Sequence, residues 1–493
     1  METIDPNESQ QIATVVKGED SIAWFPILPS ILSKLTDPQF NVQVLDVTDY
    51  SFPKFRMPPS WQIRRYISGL DSNDRLSLDS APGVFKLRKR FFLRLSEIPK
   101  LEMEIIRESS RSLLMTLFAD VKPERHLILY PLLDWIVTRQ SADLYQRALR
   151  LFLGTKRHTV YLPNGRFPYQ KAIVLAAKKS GAKIMYYERG FSPDSGYFLG
   201  EHDSQDREAW QLKAKVLSTQ GGAANNFASA IRWVDNRSNL ITQENEFSQF
   251  WPNRRASTIS SGPEEDIAVS FFTSSQDEYW ALGNWQGFGW TDQYEAFLVF
   301  ASRVQGRKVL RVHPNFINKS FGHALDEMAR ILWLKRRVRD LEIVWPNDRI
   351  NSYDLVERSS RVFVHGSTIG LESSATSKSV WNSGSAFYDS HADVRNFKPN
   401  VQYGQSYFEP WLVDNKPTLS IIEALVTSDL EFGNGLVVPK WISSKTSSFL
   451  RAINLALSGS FLYVPVLAMR RVSMVSNKIM VSLAKRFITL SRW

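Results

Sequence analysis

The sequence predicts an α/β protein: two Rossmann-like domains with parallel sheets facing a cleft, followed by a basic helical tail. Three observations predict it. Short apolar runs rich in Val, Ile and aromatic residues alternate with segments of helical periodicity in both halves, the pattern of buried parallel strands with crossover helices. A polar stretch rich in Pro, Gly and Ser, residues 252–266, separates the two series and reads as a linker. The length, 493 residues, leaves room for two or three domains with full cores at roughly 150 residues each.

The elements follow in order. In the first half, residues 22–28, 42–47, 127–130, 159–162 and 183–187 read as strands. Residues 167–180 lie between the last two, apolar at Ile173, Val174 and Ala177 and closed by Gly181, so they read as a helix with a C-terminal glycine. Strand, helix and strand at this spacing make a βαβ unit. The second half starts with a strand at 267–272, a helix at 292–304 and a strand at 308–312. A helix at 324–338, a strand at 341–345, a short helix at 353–358 and a strand at 361–364 come next. A helix at 368–377 and a strand beginning at 379–381 complete it. The expected domains are 1–255, 266–440 and a tail at 445–493, with no internal repeat beyond the two halves.

The tail differs in composition. From residue 450 onward it has no acid and carries Arg451, Arg470, Arg471, Lys478, Lys485, Arg486 and Arg492. Val472, Val475, Ile479, Leu483, Phe487 and Leu490 fall at helical spacing. Two readings stand: a basic amphipathic helix on an anionic membrane, or a terminal helix docked on the folded domains. The basic run at 86–90 reads as a solvated face.

Composition narrows the function classes. The formal charge of +11 favours anionic partners such as nucleic acid, anionic lipid, or charged sugars and nucleotides. Nucleic acid is set aside, because the basic residues gather in the tail rather than in an aromatic-interleaved stripe. The absence of cysteine excludes disulfides, thiolate metal sites and a thiol nucleophile. The 15 tryptophans serve either sugar-binding faces or packed cores. No signal peptide is read at residues 1–20 and no apolar run reaches about 18 residues, so a cytoplasmic protein without a transmembrane helix is expected, with a peripheral seat on a membrane left open by the tail.

Candidate chemistry gathers where α/β sheets bind ligands, just past the carboxyl ends of strands. The most informative stretch is 362–374, where an apolar strand enters the turn His365, Gly366, Ser367, Thr368 and then a helix bearing Glu372. Helix-start amides with Ser and Thr beside them suit a phosphate, and Glu372 suits ribose hydroxyls. The alternative is an ordinary helix start with Ser as N-cap. Arg311 and His313 end another strand, where Pro314 fixes the exit and His313 can donate to a phosphate. Lys319 is a nearby cation. In the first half, Asn164 and Arg166 follow one strand, as helix cap and anion contact. Glu188 follows another, placed as a general base although an adjacent Arg189 would lower its pKa; the alternative is a salt bridge at a turn, and Asp194 is the alternate carboxylate. The loops at 273–277 and 280–290 read as walls. The sequence has no G-x-x-x-x-G-K-[ST] loop, no G-x-G-x-x-G after a strand, no H-E-x-x-H and no G-x-S-x-G. Metal is unassigned and no resident cofactor is expected.

The ordered set Asn164-Gly-Arg, then Tyr187-Glu-Arg-Gly-Phe-Ser-Pro-Asp194, then His313-Pro314, then Gly366-Ser-Thr-Ile-Gly-Leu-Glu372 resembles the bacterial capsule-polysaccharide synthesis proteins. These are GT-B glycosyltransferases that include Kdo transferases. The stretch 379–388 is similar to that family's "KPV…G…FY" segment, and the resemblance covers roughly residues 159–388. It implies that His313 and the Ser367/Thr368 turn hold the nucleotide of an activated sugar, often a CMP-sugar. It also implies that Glu188 is the cleft carboxylate of an E-x-G-[FY] motif. Two departures stand out: Arg189 where some members have Asp, and Ser377-Lys378-Ser379 where the family has Gly-Lys-Pro. The expectation is a glycosyltransferase moving a sugar from a nucleotide-sugar to a surface polysaccharide or its lipid-linked acceptor. The alternatives are a sugar-nucleotide epimerase of the same fold and a non-catalytic polysaccharide-binding protein.

Overall fold

The computed structural model of the chain describes residues 11–17, 40–47, 84–86, 98–153, 158–189, 195–200, 206–220, 227–238, 267–281, 288–348, 350–390, 392–426, 430–431 and 463–490. They fall into two compact units, each built on one sheet. The first comprises Met1–Leu114, Glu124–Asp206 and Ser428–Leu467, the second Met115–Pro123, Arg207–Thr427 and Ala468–Trp493. The division is therefore not contiguous. Residues 207–238, which sequence order puts in the first domain, belong by packing to the second.

The first unit holds a seven-stranded sheet. Its strands are β1 (Gln11–Lys17), β2 (Phe40–Asp46), β3 (Val84–Lys86), β4 (His158–Pro163), β5 (Lys183–Arg189), β6 (Ser195–Gly200) and, from late in the chain, β13 (Leu430–Glu431). The order is β13-β6-β5-β4-β1-β2-β3, parallel from β3 through β5, with β6 and β13 antiparallel at one edge. The helices are α1 (Lys100–Phe118), which runs on into the second unit, α2 (Leu129–Leu153) and α3 (Pro168–Ser180). The core joins Val16, Leu45 and Val160 of the strands to Ala148 of α2 and Ile173 of α3. Gly181 closes α3 in the left-handed conformation at φ 76°, where a side chain would be strained.

The second unit starts with helices α4 (Arg207–Gln220) and α5 (Ala228–Ser238). Its six parallel strands are β7 (Val269–Phe272), β8 (Lys308–Arg311), β9 (Leu341–Val344), β10 (Val362–Val364), β11 (Val380–Asn382) and β12 (Val394–Asn396), in the order β12-β11-β10-β7-β8-β9. The connecting helices are α6 (Gln276–Ala281), α7 (Gln293–Ala301), α8 (Phe321–Arg337), α9 (Ser352–Glu357) and α10 (Thr368–Ala375), followed by α11 (Lys416–Val426). Strand alternation sends neighbouring residues to opposite faces. Phe271, Phe363 and Trp381 join Phe297 and Phe300 of α7 and Ile331 of α8 on one face. Phe272, Val362, Val364 and Val380 join Leu355 and Val356 of α9 on the other. Aromatic packing is dense: the Phe300 and Phe363 rings sit 4.6 Å apart and Phe271 and Phe297 5.1 Å. Much of the aromatic content is thus core.

The last helix, α12 (Tyr463–Leu490), docks its Val481 and Ala484 into the second unit's core. Asn477 donates to the carbonyls of Ile317 and Lys319 at 3.2 and 3.0 Å, and Lys485 pairs with Asp348. No helix among the described residues is long and apolar enough to cross a membrane.

Three expectations are corrected. Residues 127–130 are not a strand: Leu127 and Ile128 form a turn, 81% and 82% exposed, and Leu129 and Tyr130 begin α2. A short apolar run has no decisive period, and here the long helix behind it decides. The structure adds a strand at Gln11–Lys17, the middle one of the first sheet's five parallel strands, inside a segment whose charged flanks hid it. Glu188 is not in a turn: β5 extends through Arg189, and Glu188 pairs with Tyr197 of antiparallel β6. The linker at 252–266 and the expected strand at 22–28 lie outside the described residues.

Candidate functional site

The second sheet's order locates the site before any side chain is considered. The chain enters at β7, winds outward through β8 and β9, then returns to the other side of β7 to lay down β10, β11 and β12. The winding reverses between β7 and β10. At such a reversal the loops past the two strands diverge and leave a crevice at their carboxyl ends, where open α/β sheets bind ligands. Here those loops are Thr273–Ser274–Ser275 and the turn His365–Gly366–Ser367.

Hydrogen bonds tie the loops together. Ser274 Oγ donates to the His365 carbonyl at 2.6 Å, and the Thr273 hydroxyl accepts from His313 N at 2.7 Å. Gln293 of α7 holds the backbone of Ser274 from both sides, accepting from its N–H at 2.8 Å and donating to its carbonyl at 3.2 Å. Gly366 N donates to Asn382 Oδ1 at 2.7 Å. His365 is 7% exposed, contacts Ser383 Oγ through Nδ1 at 3.0 Å, and is pushed down to about 4 by burial, so it is neutral.

The turn needs its glycine. Gly366 has φ 71°, and a Cβ there would stand 2.1 Å from Tyr279 Oη and 2.6 Å from the Ser385 carbonyl. Past it, Ser367 occupies the N-cap position of α10, yet its hydroxyl makes no capping bond. The ordinary helix start with Ser as cap is therefore not what forms. The first amides of a helix lack intrahelical partners, and with the helix dipole behind them they present a positive end to an anion. Tyr388 Oη donates to the Ser367 carbonyl at 2.5 Å and holds the helix start from below.

His313 flanks this anion seat. It caps the short turn Pro314–Asn318, and its Nδ1 accepts from Asn315 N at 3.1 Å. Accepting at Nδ1 puts the proton of the neutral ring on Nε2, which makes that nitrogen the donor. Arg207 at the start of α4 donates to Ser385 Oγ at 2.7 Å, and the Ser385 carbonyl borders Gly366. Its buried Nε has no hydrogen-bond partner among the described residues.

A buried charge cluster supports the same loops. Lys319 donates to Ser275 Oγ and Asp277, with Lys319 and Asp277 side chains 1% and 5% exposed. Burial alone would raise the Asp277 carboxyl, but the Lys319 ammonium outweighs it and holds the group down to about 2. His323 lies 3.9 Å from Asp120 and 3.7 Å from Glu327, and is pushed down to about 4 by burial with help from Lys319. Glu327 is pushed up to about 7, mainly by burial, and accepts from Tyr294 Oη at 2.8 Å. No group of His, Asp or Glu able to hold a metal is found among the described residues.

The expected site residues divide by unit. His313, Gly366, Ser367 and Thr368 come together at the reversal, linked through Thr273 and Ser274. Arg311 ends β8 but is 5% exposed and donates Nη1 to the Trp345 carbonyl at 2.6 Å, bracing the sheet edge, while its buried Nε has no hydrogen-bond partner among the described residues. Glu372 is 3% exposed, paired to Arg237 at 2.7 Å and accepting from Tyr353 Oη at 2.6 Å, so its carboxylate is already engaged. Arg166 belongs to the first unit, where Nε donates to Ser112 Oγ at 3.3 Å and the guanidinium lies 5.2 Å over the Phe167 ring. Glu188 is in the first sheet's β5, and Asp194 lies outside the described residues. Sequence reasoning missed Arg207, His323 and Glu327. The i, i+4 pairing of His323 and Glu327 was visible, but only the fold turns it inward.

No family model matches the chain, and no curated protein matches it. Among solved structures, it is similar to KpsC, a beta Kdo 2,7 transferase of Thermosulfurimonas dismutans, with TM-score 0.31, 12% identity and coverage of 56% of this chain and 80% of that one. The UDP-GlcNAc 2-epimerase of Neisseria meningitidis bound to UDP-GlcNAc gives TM-score 0.27 at 11% identity, over 91% of this chain and 100% of that one. CalG4, the calicheamicin glycosyltransferase, gives 0.25 at 12% identity, over 91% and 98%. At these scores the likenesses carry no argument about activity.

Proposed function

We propose that the second unit binds the nucleotide of an activated sugar, and that the chain is a glycosyltransferase delivering that sugar to a surface polysaccharide or its lipid-linked acceptor. One observation carries the reading: an uncapped helix start, at the reversal point of a doubly wound sheet, flanked by His313 as Nε2–H donor and by Arg207. That constellation offers charge-assisted hydrogen bonds to a phosphate, with His313 presenting Nε2–H as donor because its Nδ1 accepts from Asn315 N. The capsule-synthesis motifs at Asn164, Glu188, His313 and Gly366 point to a nucleotide-sugar, with a CMP-sugar as the leading donor.

In transfer, the phosphate leaves as the bond to the sugar breaks, and negative charge grows on its oxygens. The amides at Ser367 and Thr368, with His313 and Arg207, stabilise that charge from fixed positions, so little reorganisation is needed as it develops. A carboxylate takes the acceptor's hydroxyl proton. Glu188, or Asp194, is the carboxylate that the motif assigns to that role.

The test is product analysis with CMP-, UDP- and GDP-sugars, with and without an oligosaccharide acceptor. Acceptor-dependent release of nucleotide supports the transferase. A rearranged nucleotide-sugar without acceptor makes the chain an epimerase, and glycan retention without turnover makes it a binding protein.

A further inference from the structure

The helix α12 has two apolar faces, and only one is used by the fold. Val481 and Ala484 enter the core, and Asn477 on the same side is fully buried, bonded to the backbone at Ile317 and Lys319. On the opposite side Val472, Val475, Ile479, Leu483 and Phe487 are 67%, 54%, 56%, 60% and 48% exposed. Their spacing of three or four residues lines them into one stripe about 22 Å long, at 1.5 Å rise per residue. Phe321, the first residue of α8, adds to it: it is 46% exposed, and its N–H donates to Ser473 Oγ at 3.2 Å.

A contiguous exposed apolar stripe on a docked helix marks an interaction surface. Charge identifies the occupant. Arg471, Lys478 and Arg486 are exposed alongside the stripe, and no acid occurs anywhere in Tyr463–Leu490. A second copy of the chain meeting stripe to stripe would bring these cations against their own copies, where like charges repel. An anionic lipid surface takes the apolar residues into its headgroup and acyl boundary and answers the cations with its own charge.

We propose that α12 is an interfacial membrane anchor, held to the second unit by its buried face and seated by its outer stripe in an anionic lipid surface. The proposal is independent of the nucleotide reading, since it uses none of the residues at the helix start of α10.

The test is co-sedimentation of the full chain with phosphatidylcholine vesicles containing phosphatidylglycerol, against phosphatidylcholine alone. Binding is expected to the anionic vesicles only and to weaken as salt rises. The double variant Ile479→Asp, Leu483→Asp should lower partitioning at least roughly tenfold. A second variant, Arg471→Gln with Lys478→Gln, should remove the preference for anionic lipid. All four side chains are exposed, so the fold should survive, which circular dichroism checks. Absence of binding to anionic vesicles, equal binding to neutral ones, or unchanged partitioning of the aspartate variant would each overturn the proposal. So would a dimer, seen by sedimentation velocity, that those aspartates dissolve.

Discussion

Replacing Lys319 by Met removes the cation paired with Asp277, deep under the loop at the winding reversal. The carboxylate would keep Ser275 Oγ, at 3.0 Å, as its remaining hydrogen-bond donor. Two estimates of the cost come from the structure. Lys319 holds Asp277 at about 2 against an ordinary 3.8, worth about 2–3 kcal/mol at neutral pH. Truncating one partner of a buried pair also strands the other charge, which brings the total to about 3–5 kcal/mol. The pH dependence has a definite sign. In the native protein Asp277 is depressed, so its contribution is present above about pH 4 and is lost as pH falls toward 2. In Lys319→Met burial would dominate and raise Asp277, so the deficit should shrink as pH is lowered from 7 to 5. Adding Asp277→Asn should restore most of the loss, with a coupling of about 2–3 kcal/mol. The assay is hydrogen exchange of peptides from α6 and α8, which reads opening of the second unit rather than of the whole chain. A loss below about 1 kcal/mol, or strict additivity in the cycle, would refute the reasoning.

Three further outcomes are expected. Glu327 is pushed up to about 7 from 4.5, so its stabilising protonated form is fully present below about pH 4.5 and lost as pH rises through 7. Glu327→Gln keeps an acceptor for Tyr294 without titrating, and urea unfolding should show it gaining about 2–3 kcal/mol at pH 8 relative to pH 4.5. Gly366→Ala would force a Cβ to 2.1 Å from Tyr279 Oη at a positive φ; the strain, at about 1–3 kcal/mol before any clash, should lower the melting temperature and weaken nucleotide binding together. His313→Ala and Arg207→Met each remove one charge-assisted bond to phosphate, so calorimetry with CMP, UDP and GDP should show about 10- to 100-fold weaker binding in each, while loss of the His313 cap and of the Arg207–Ser385 bond lowers stability by only about 1 kcal/mol.

The second sheet was legible in the sequence because its strands are uninterrupted apolar runs, each followed by a helix whose start or end is marked. Val362–Val364, the glycine turn and Thr368–Ala375 were readable together for that reason. The first sheet was harder. Its strand Gln11–Lys17 sits between acidic segments that masked its short apolar stretch, while Leu127 and Ile128 mimicked a strand and are exposed. The antiparallel partner of Glu188 could not be read, because strand pairing is a tertiary fact and β5 alone has no period to announce it. Around the candidate site, residue types at strand ends were visible but their engagement was not. Arg311 and Glu372 look like ligand contacts until Trp345, Arg237 and Tyr353 are placed beside them. Arg207 lies far from the turn in sequence and reaches it only through Ser385.

The most direct measurement is a crystal structure of the protein soaked with CMP, UDP or GDP. The account predicts phosphate oxygens within hydrogen-bond distance of the amides at Ser367 and Thr368, with His313 Nε2 and Arg207 on the same phosphate. A nucleotide bound elsewhere, or a turn that stays empty at concentrations where calorimetry shows saturation, would contradict it.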